Sequence, residues 1–317
     1  MTSKLNVQSP VIAPAAQVKV RRHRVLSTTQ LALRLYGRLS PVKAGRLVHR
    51  MAFRPSRLPA PGRYEHLFDT ADSYTQLQHG TRTIPVYAWG QGPTILGVHG
   101  WSGAGIQFGA WVEPLLAAGY RVVLYDAPAH GRAQGESTDL FEMADVLRSV
   151  AASVGGVHGV MAHSMGALAA ARAIQDGLDA EYLALLAPPS GLRGVMHSLG
   201  RQLALSPEVL AVHLQLMEER FGASVWQQFD LQALAGTLTQ RGLIVIDHDD
   251  ASIAPEDSER VAAQWQNAGL LRTSGLGHNR ILWSPLVIDR VLTDLGEPSE
   301  RQSRQEDSSS RKVSPSV

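Results

Sequence analysis

Cysteine is absent from the 317 residues, which removes disulfides, thiol nucleophiles and thiolate metal ligands. No run approaches the ~18 apolar residues that span a bilayer. The first residues lack a continuous apolar stretch behind their lysine, so no secretory signal is expected and the chain reads as cytoplasmic. Acidic residues are missing from one end altogether. Residues 1–64 hold 13 Lys/Arg and no Asp or Glu, which leaves 65–317 with a formal charge of −11 beneath a net +2. Such a basic end suits packing against an acidic body, targeting, or peripheral attachment to a membrane surface. Nucleic acid is disfavoured as a partner, because Tyr36 is the one Phe, Tyr or Trp among the charges of residues 1–52.

What is present is an ordinary globular composition, 44% hydrophobic, with a clear order of elements. Residues 1–24 carry prolines and no periodic core, and read as a poorly ordered arm. Ser27-Thr28 is placed to cap a helix carrying Leu31, Leu35 and Leu39. Ser40-Pro41 starts a second helix, on which Ala44, Leu47, Val48 and Met51 share a face. A Pro-rich connector over 55–61 leads to a hairpin, Tyr74–Gln78 and Thr83–Ala88, turning at Gly80, with Pro85 expected to keep its strand at a sheet edge. Strands near Thr94–Val98, Arg121–Tyr125, Gly156–Met161, Tyr182–Leu186 and Leu243–Ile246 then alternate with helices. That rhythm predicts an α/β fold, a mostly parallel sheet flanked by helices. It breaks between Ala187 and Leu243, where 195–205, 207–221 and 225–239 are all helical in pattern. The expected organisation is therefore a basic arm with short helices over 1–68, an α/β core over 69–189 and 241–296, a helical insertion over 190–240, and a disordered tail over 297–317.

One pentapeptide stands out. Ala162-His163-Ser164-Met165-Gly166 lies between a glycine-bounded apolar strand and the strong helix former Ala167-Leu168-Ala169-Ala170-Ala171. A serine at a strand-to-helix turn, with small residues two positions to either side, describes a nucleophile elbow. The turn is so tight that larger neighbours collide, and the hydroxyl is raised above the sheet edge.

Three further segments occur in an order that resembles the α/β-hydrolase superfamily. His99-Gly100-Trp101-Ser102-Gly103 is similar to the family's His-Gly-x-x-Gly turn, Asp126-Ala127-Pro128-Ala129-His130-Gly131 to its Asp-x-Pro-x-His-Gly turn, and Gly277-His278-Asn279-Arg280-Ile281-Leu282 to its histidine loop. The resemblance runs from about Ser73 to Leu295. It implies a serine hydrolase acting on a carboxylic ester or thioester through an acyl-enzyme, without cofactor or metal. Ser164 is then the nucleophile, His278 the base, and the main-chain N–H groups of Trp101 and Met165 the oxyanion donors. Residues 190–240 become a cap, from which one or two of Met196, Leu199, Leu203, Leu210, Leu214, Met217, Phe221 and Trp226 are expected to line an acyl pocket.

Serine hardly ionises near neutral pH, so a base must take its proton during attack, and a carboxylate must hold that base in the right tautomer. The acid is expected in Asp247-His248-Asp249-Asp250-Ala251-Ser252-Ile253-Ala254-Pro255. The family's spacing of four residues before the proline falls on Ala251. A one-residue shift selects Asp250, with Asp249 and Asp247 as alternatives. A metal-binding reading of this run lacks the alternating ligands and glycine turn of hard-cation loops. His163 is expected to face away from the site and pack, and His99 and His130 to serve structural turns. The same residues also suit acyl transfer to an alcohol, and a non-catalytic binding or scaffold member of the fold is the alternative from another class.

Overall fold

A computed structural model of the chain describes residues 27–59 and 61–296. The arm expected over 1–24 and the tail expected over 297–317 lie outside the described residues.

Helices α1 (Thr28–Leu39) and α2 (Pro41–Ala52) meet at a sharp corner. Ser27 and Gln30 form a reciprocal capping box at the start of α1. Ser40 Oγ accepts the Lys43 N–H at 3.3 Å, with Pro41 at the first helical position of α2. A 3-10 turn over Gly62–Phe68, absent from the sequence reading, leads into β1 (Ser73–His79) and β2 (Arg82–Trp89), which turn at Gly80 with φ +57°. Then follow β3 (Thr94–Val98), a 3-10 turn over Gly105–Trp111, α3 (Val112–Ala117), β4 (Arg121–Tyr125), α4 (Leu140–Ser153), β5 (Gly159–His163), α5 (Met165–Gln175) and β6 (Tyr182–Leu186). Four helices, α6 (Leu192–Gln202), α7 (Pro207–Phe221), α8 (Val225–Gln228) and α9 (Leu231–Ala235), separate β6 from β7 (Arg241–Asp247). The chain continues through α10 (Pro255–Ala262), β8 (Ala268–Thr273), the short α11 (Gly277–Arg280) and α12 (Pro285–Gly296).

The eight strands form one sheet in the order β1-β2-β4-β3-β5-β6-β7-β8; β1 and β2 are antiparallel and the other six run parallel. Both faces are covered. Leu96, Val98, Val160 and Ala162 point into one core with α4 and α5, while Ile95 and Met161 point into the other with Phe108, Trp111 and Ile281. That is the period-2 alternation of strands buried on both sides. Helix α5 buries almost only alanine, leucine and glycine, from Gly166 to Ala171 and at Ala173.

Three local expectations are corrected. Pro85 is not on an edge, because β2 lies between β1 and β4. Its carbonyl accepts the Asp126 N–H at 3.3 Å, and paired residues with β4 begin only at Val86. The missing proline N–H therefore falls at the end of that ladder. The β5 strand starts at Gly159, with Gly155 and Gly156 at positive φ in the preceding turn. The helix expected over 225–239 is broken at Phe229-Asp230, where Asp230 Oδ1 accepts the Ala233 N–H at 3.1 Å and restarts the chain as α9.

Candidate active site

The strand order reverses at β3, whose neighbours are β4 on one side and β5 on the other. Chains leaving β3 and β5 diverge there, and a crevice opens at their carboxyl ends. Ser164 stands at that point. It has φ 53° and ψ −125°, a backbone state L-residues rarely adopt, and its N–H is held by the Leu186 carbonyl at 2.9 Å. The turn closes only because Gly166 lacks a side chain: a Cβ there would stand 2.6 Å from the His99 carbonyl oxygen. Gly100 is pressed as closely on the serine, its would-be Cβ 3.0 Å from Ser164 Cβ. The Trp101 turn is thereby set directly beside the elbow. Ser102, at φ 60°, accepts the Ser56 N–H on its Oγ at 3.0 Å, so the connector behind α2 fastens this turn from outside.

His278 Nε2 lies 3.0 Å from Ser164 Oγ, and its Nδ1 lies 2.7 Å from Asp250 Oδ2. A carboxylate accepts only, so the ring proton is on Nδ1, and the Nε2 lone pair faces the serine hydroxyl. Burial alone would raise the Asp250 carboxyl. The hydrogen bond and charge of His278, with the N–H groups of Ile253 and Ser252, outweigh this and hold it below the usual carboxylate range. The other two acids of the loop have different partners. Asp247 is buried and accepts four bonds, from the N–H groups of Asp249, Leu276 and Gly277 and from the Thr273 hydroxyl. Asp249 accepts the Gly275 N–H at 2.7 Å. Both tie the acidic loop to the histidine loop, leaving Asp250 to meet the imidazole.

His163 does not face away. Its ring packs against that of His278, tilted by 45° at a centroid distance of 4.7 Å, and its Nε2 donates to the His278 carbonyl at 2.9 Å. Burial, and secondarily the nearby His278, lower its pKa to about 3, so it stays neutral. His99 accepts the Ala127 N–H on Nε2 at 2.9 Å and donates from Nδ1 to the Gly100 carbonyl, joining the turns after β3 and β4. Asp126 accepts the N–H groups of Gly105 and Arg132 and braces the same layer. His130 donates to the Pro128 carbonyl and meets the Trp101 ring edge-on at 5.2 Å.

Ser164 and His278 open into a cavity of about 430 Å³. Met196, Leu199 and Leu203 of α6 form one wall, and Val48, Met51 and Ala52 of α2 form another. Trp101, Met165 and Met196 also border a smaller apolar hollow of about 30 Å³ toward Phe141, Met217 and Phe221. The inserted helices thus supply more lining than the one or two residues expected.

The family model described as "alpha/beta hydrolase family" matches residues 95–289. The chain belongs to the alpha/beta hydrolase family. Among solved structures, an esterase of Pyrococcus furiosus is 17% identical, with a TM-score of 0.59 over 76% of this chain and 98% of its own. The thioesterase domain from the curacin biosynthetic pathway is 18% identical, with a TM-score of 0.52 over 70% of this chain and 98% of its own. A bromoperoxidase from Bacillus anthracis is 16% identical, with a TM-score of 0.56 over 71% of this chain and all of its own. At these identities the likeness is one of fold. No curated protein matches the chain by sequence.

Sequence reasoning missed two contributions to this hydrolase-family site. The α2 wall was out of reach, because it depends on α2 lying against α7; Gly45 permits the approach, since a Cβ there would meet the Val212 side chain at 2.5 Å. The His163 bond depends on a loop 115 residues away. The local signals were the shared apolar face of Ala44, Leu47, Val48 and Met51 and the small residue at position 45.

Proposed function

We propose that the protein is a serine hydrolase that cleaves carboxylic esters or thioesters through an acyl-enzyme intermediate. The continuous chain from Asp250 through His278 to Ser164, at 2.7 and 3.0 Å, carries this reading. In it, Ser164 Oγ attacks the acyl carbon while its proton passes to His278 Nε2. Asp250 keeps the Nδ1 proton in place and stabilises the imidazolium that forms. Negative charge moves to the former carbonyl oxygen, and the main-chain N–H groups of Met165 and Trp101, the donors implied by the family resemblance, receive it. Each such donor is typically worth about 3–4 kcal/mol in the transition state. Collapse expels the alcohol or thiol, protonated by His278. Water then attacks the acyl carbon as His278 Nε2 takes its proton; the acyl–Oγ bond breaks, the carboxylic acid leaves, and His278 returns the proton to Ser164 Oγ. The apolar walls from α2 and α6 favour a hydrophobic acyl portion over a charged one.

The test is labelling with a fluorophosphonate probe, followed by a chromogenic ester panel of increasing acyl length. Ser164 is expected to carry the adduct, and Ser164→Ala and His278→Ala to lose about 10⁴-fold or more in turnover. An unlabelled Ser164 in folded protein, or full turnover in either variant, sinks the proposal and leaves a binding role for the fold.

A further inference from the structure

Helix α1 has two apolar faces and uses only one of them. Leu33 packs with Ala44, Val48 and Val209, so the inner face is already satisfied. On the other side Leu31, Leu35 and Leu39, spaced i, i+4 and i+8, are 49%, 51% and 84% exposed, and Val42 beyond the corner is 49% exposed. Three leucines on consecutive turns of α1, with a valine just past the corner at the start of α2, all open to solvent, are a patch that the fold itself does not require.

Charge identifies what suits that patch. Arg34 and Arg38 sit within one turn of the leucines, and residues 27–58 also carry Lys43, Arg46, Arg50, Arg54 and Arg57 with no acid among them. A helix with leucines on one side and arginines flanking them places its apolar groups at the acyl boundary, while the long cationic side chains reach the headgroups. The acidic remainder of the molecule, formally −11, faces the opposite preference and orients the approach. Among the described residues no helix is long and apolar enough to cross a membrane, so the contact is with the surface.

The position of α1 gives the contact a consequence. Gln30 Nε2 donates to the Gln202 carbonyl at 2.6 Å, tying the first turn of α1 to the end of α6. Gln202 and Leu203 line the same cavity as Ser164 and His278, and so does the half-exposed Met51 of α2. We infer that the Leu31–Leu35–Leu39–Val42 stripe, with its flanking arginines, is a docking surface for an anionic lipid bilayer and sets the rim of the Ser164 cavity beside the headgroup layer. The docking does not depend on the chemistry proposed for Ser164.

Vesicle flotation of the full chain tests this, using phosphatidylglycerol–phosphatidylcholine and pure phosphatidylcholine vesicles at about 0.1 and 0.5 M salt. Binding is expected to the anionic vesicles only, and weaker at high salt. Leu35→Asp/Leu39→Asp is expected to lower the partition coefficient about tenfold or more, from the lost burial of two leucines. Arg34→Gln/Arg38→Gln, whose exposed positions spare the fold, is expected to lower it at low salt. Both variants should keep wild-type turnover of a soluble ester, and Ser164→Ala should bind vesicles as wild type does. No flotation at low salt overturns the inference, as does flotation that neither double variant reduces. A dimer in sedimentation velocity that Leu35→Asp/Leu39→Asp dissociates would assign the stripe to a second copy instead.

Discussion

His163 Nε2 donates to the main-chain carbonyl of His278 across 2.9 Å, with the two rings in contact. The residue before the candidate nucleophile therefore holds the loop that carries the candidate base. His163→Phe keeps the ring packing and loses the bond. It is expected to lower kcat about 3- to 10-fold and stability by about 1 kcal/mol. His163→Gln, which restores a donor, should recover part of kcat. Steady-state kinetics on a soluble ester with urea denaturation decides it, and a Phe variant with wild-type kcat would show that the loop is held by other contacts.

Asp247 is the second positioning group, and its four bonds make a sharper prediction. Burial would raise its carboxyl, yet the N–H groups of Gly277, Leu276 and Asp249 and the Thr273 hydroxyl outweigh it and hold the pKa below normal. A depressed carboxyl stabilises the fold above its unfolded pKa of about 3.9, and that contribution is lost as pH falls toward the folded value. Asp247→Asn turns an amide N–H₂ toward groups that already donate. It is expected to cost about 2 kcal/mol at pH 7 and to flatten the decline in stability from pH 5 to 3. Urea denaturation across that range measures both effects; an unchanged slope would remove Asp247 from the account.

Buried histidines set the behaviour at milder acidity. Burial lowers His130 and His163 to about 3 and His213 to about 4, against about 6.5 in an unfolded chain. The unfolded state thus takes up these protons first, so stability falls as pH drops below about 6.5, by about 2 kcal/mol per histidine at pH 5. His213 contacts Met196 Sδ at 3.1 Å, and its Nδ1 has no partner. His213→Leu should narrow the gap in Tm between pH 7 and pH 5, and a gap equal to that of the wild type would contradict the assignment.

Much of this architecture was readable from local pattern. The alternation of apolar strands with helices, the caps at Ser27 and Ser40, and the elbow around Ser164 are each written in a few adjacent residues. The candidate acid was harder, because a one-residue shift from the family spacing left three aspartates in contention. In the structure Asp250 accepts the N–H groups of Ser252 and Ile253, a local turn that aims its other oxygen at His278. Leu31, Leu35 and Leu39 are legible as residues of one helix, but periodicity alone does not say which of two apolar faces of α1 turns inward.

The sequence by itself determined the α/β rhythm, the small residues at 162 and 166 around Ser164 and the residue types gathered at the turns, because these follow from propensity, alternation and local turn geometry. Only the tertiary structure decided that His163 supports His278, that α2 walls the cavity with α6, and that leucines of α1 remain in solvent. Each of those depends on which surfaces are left after distant segments pack, and that is fixed by the competition among all of them.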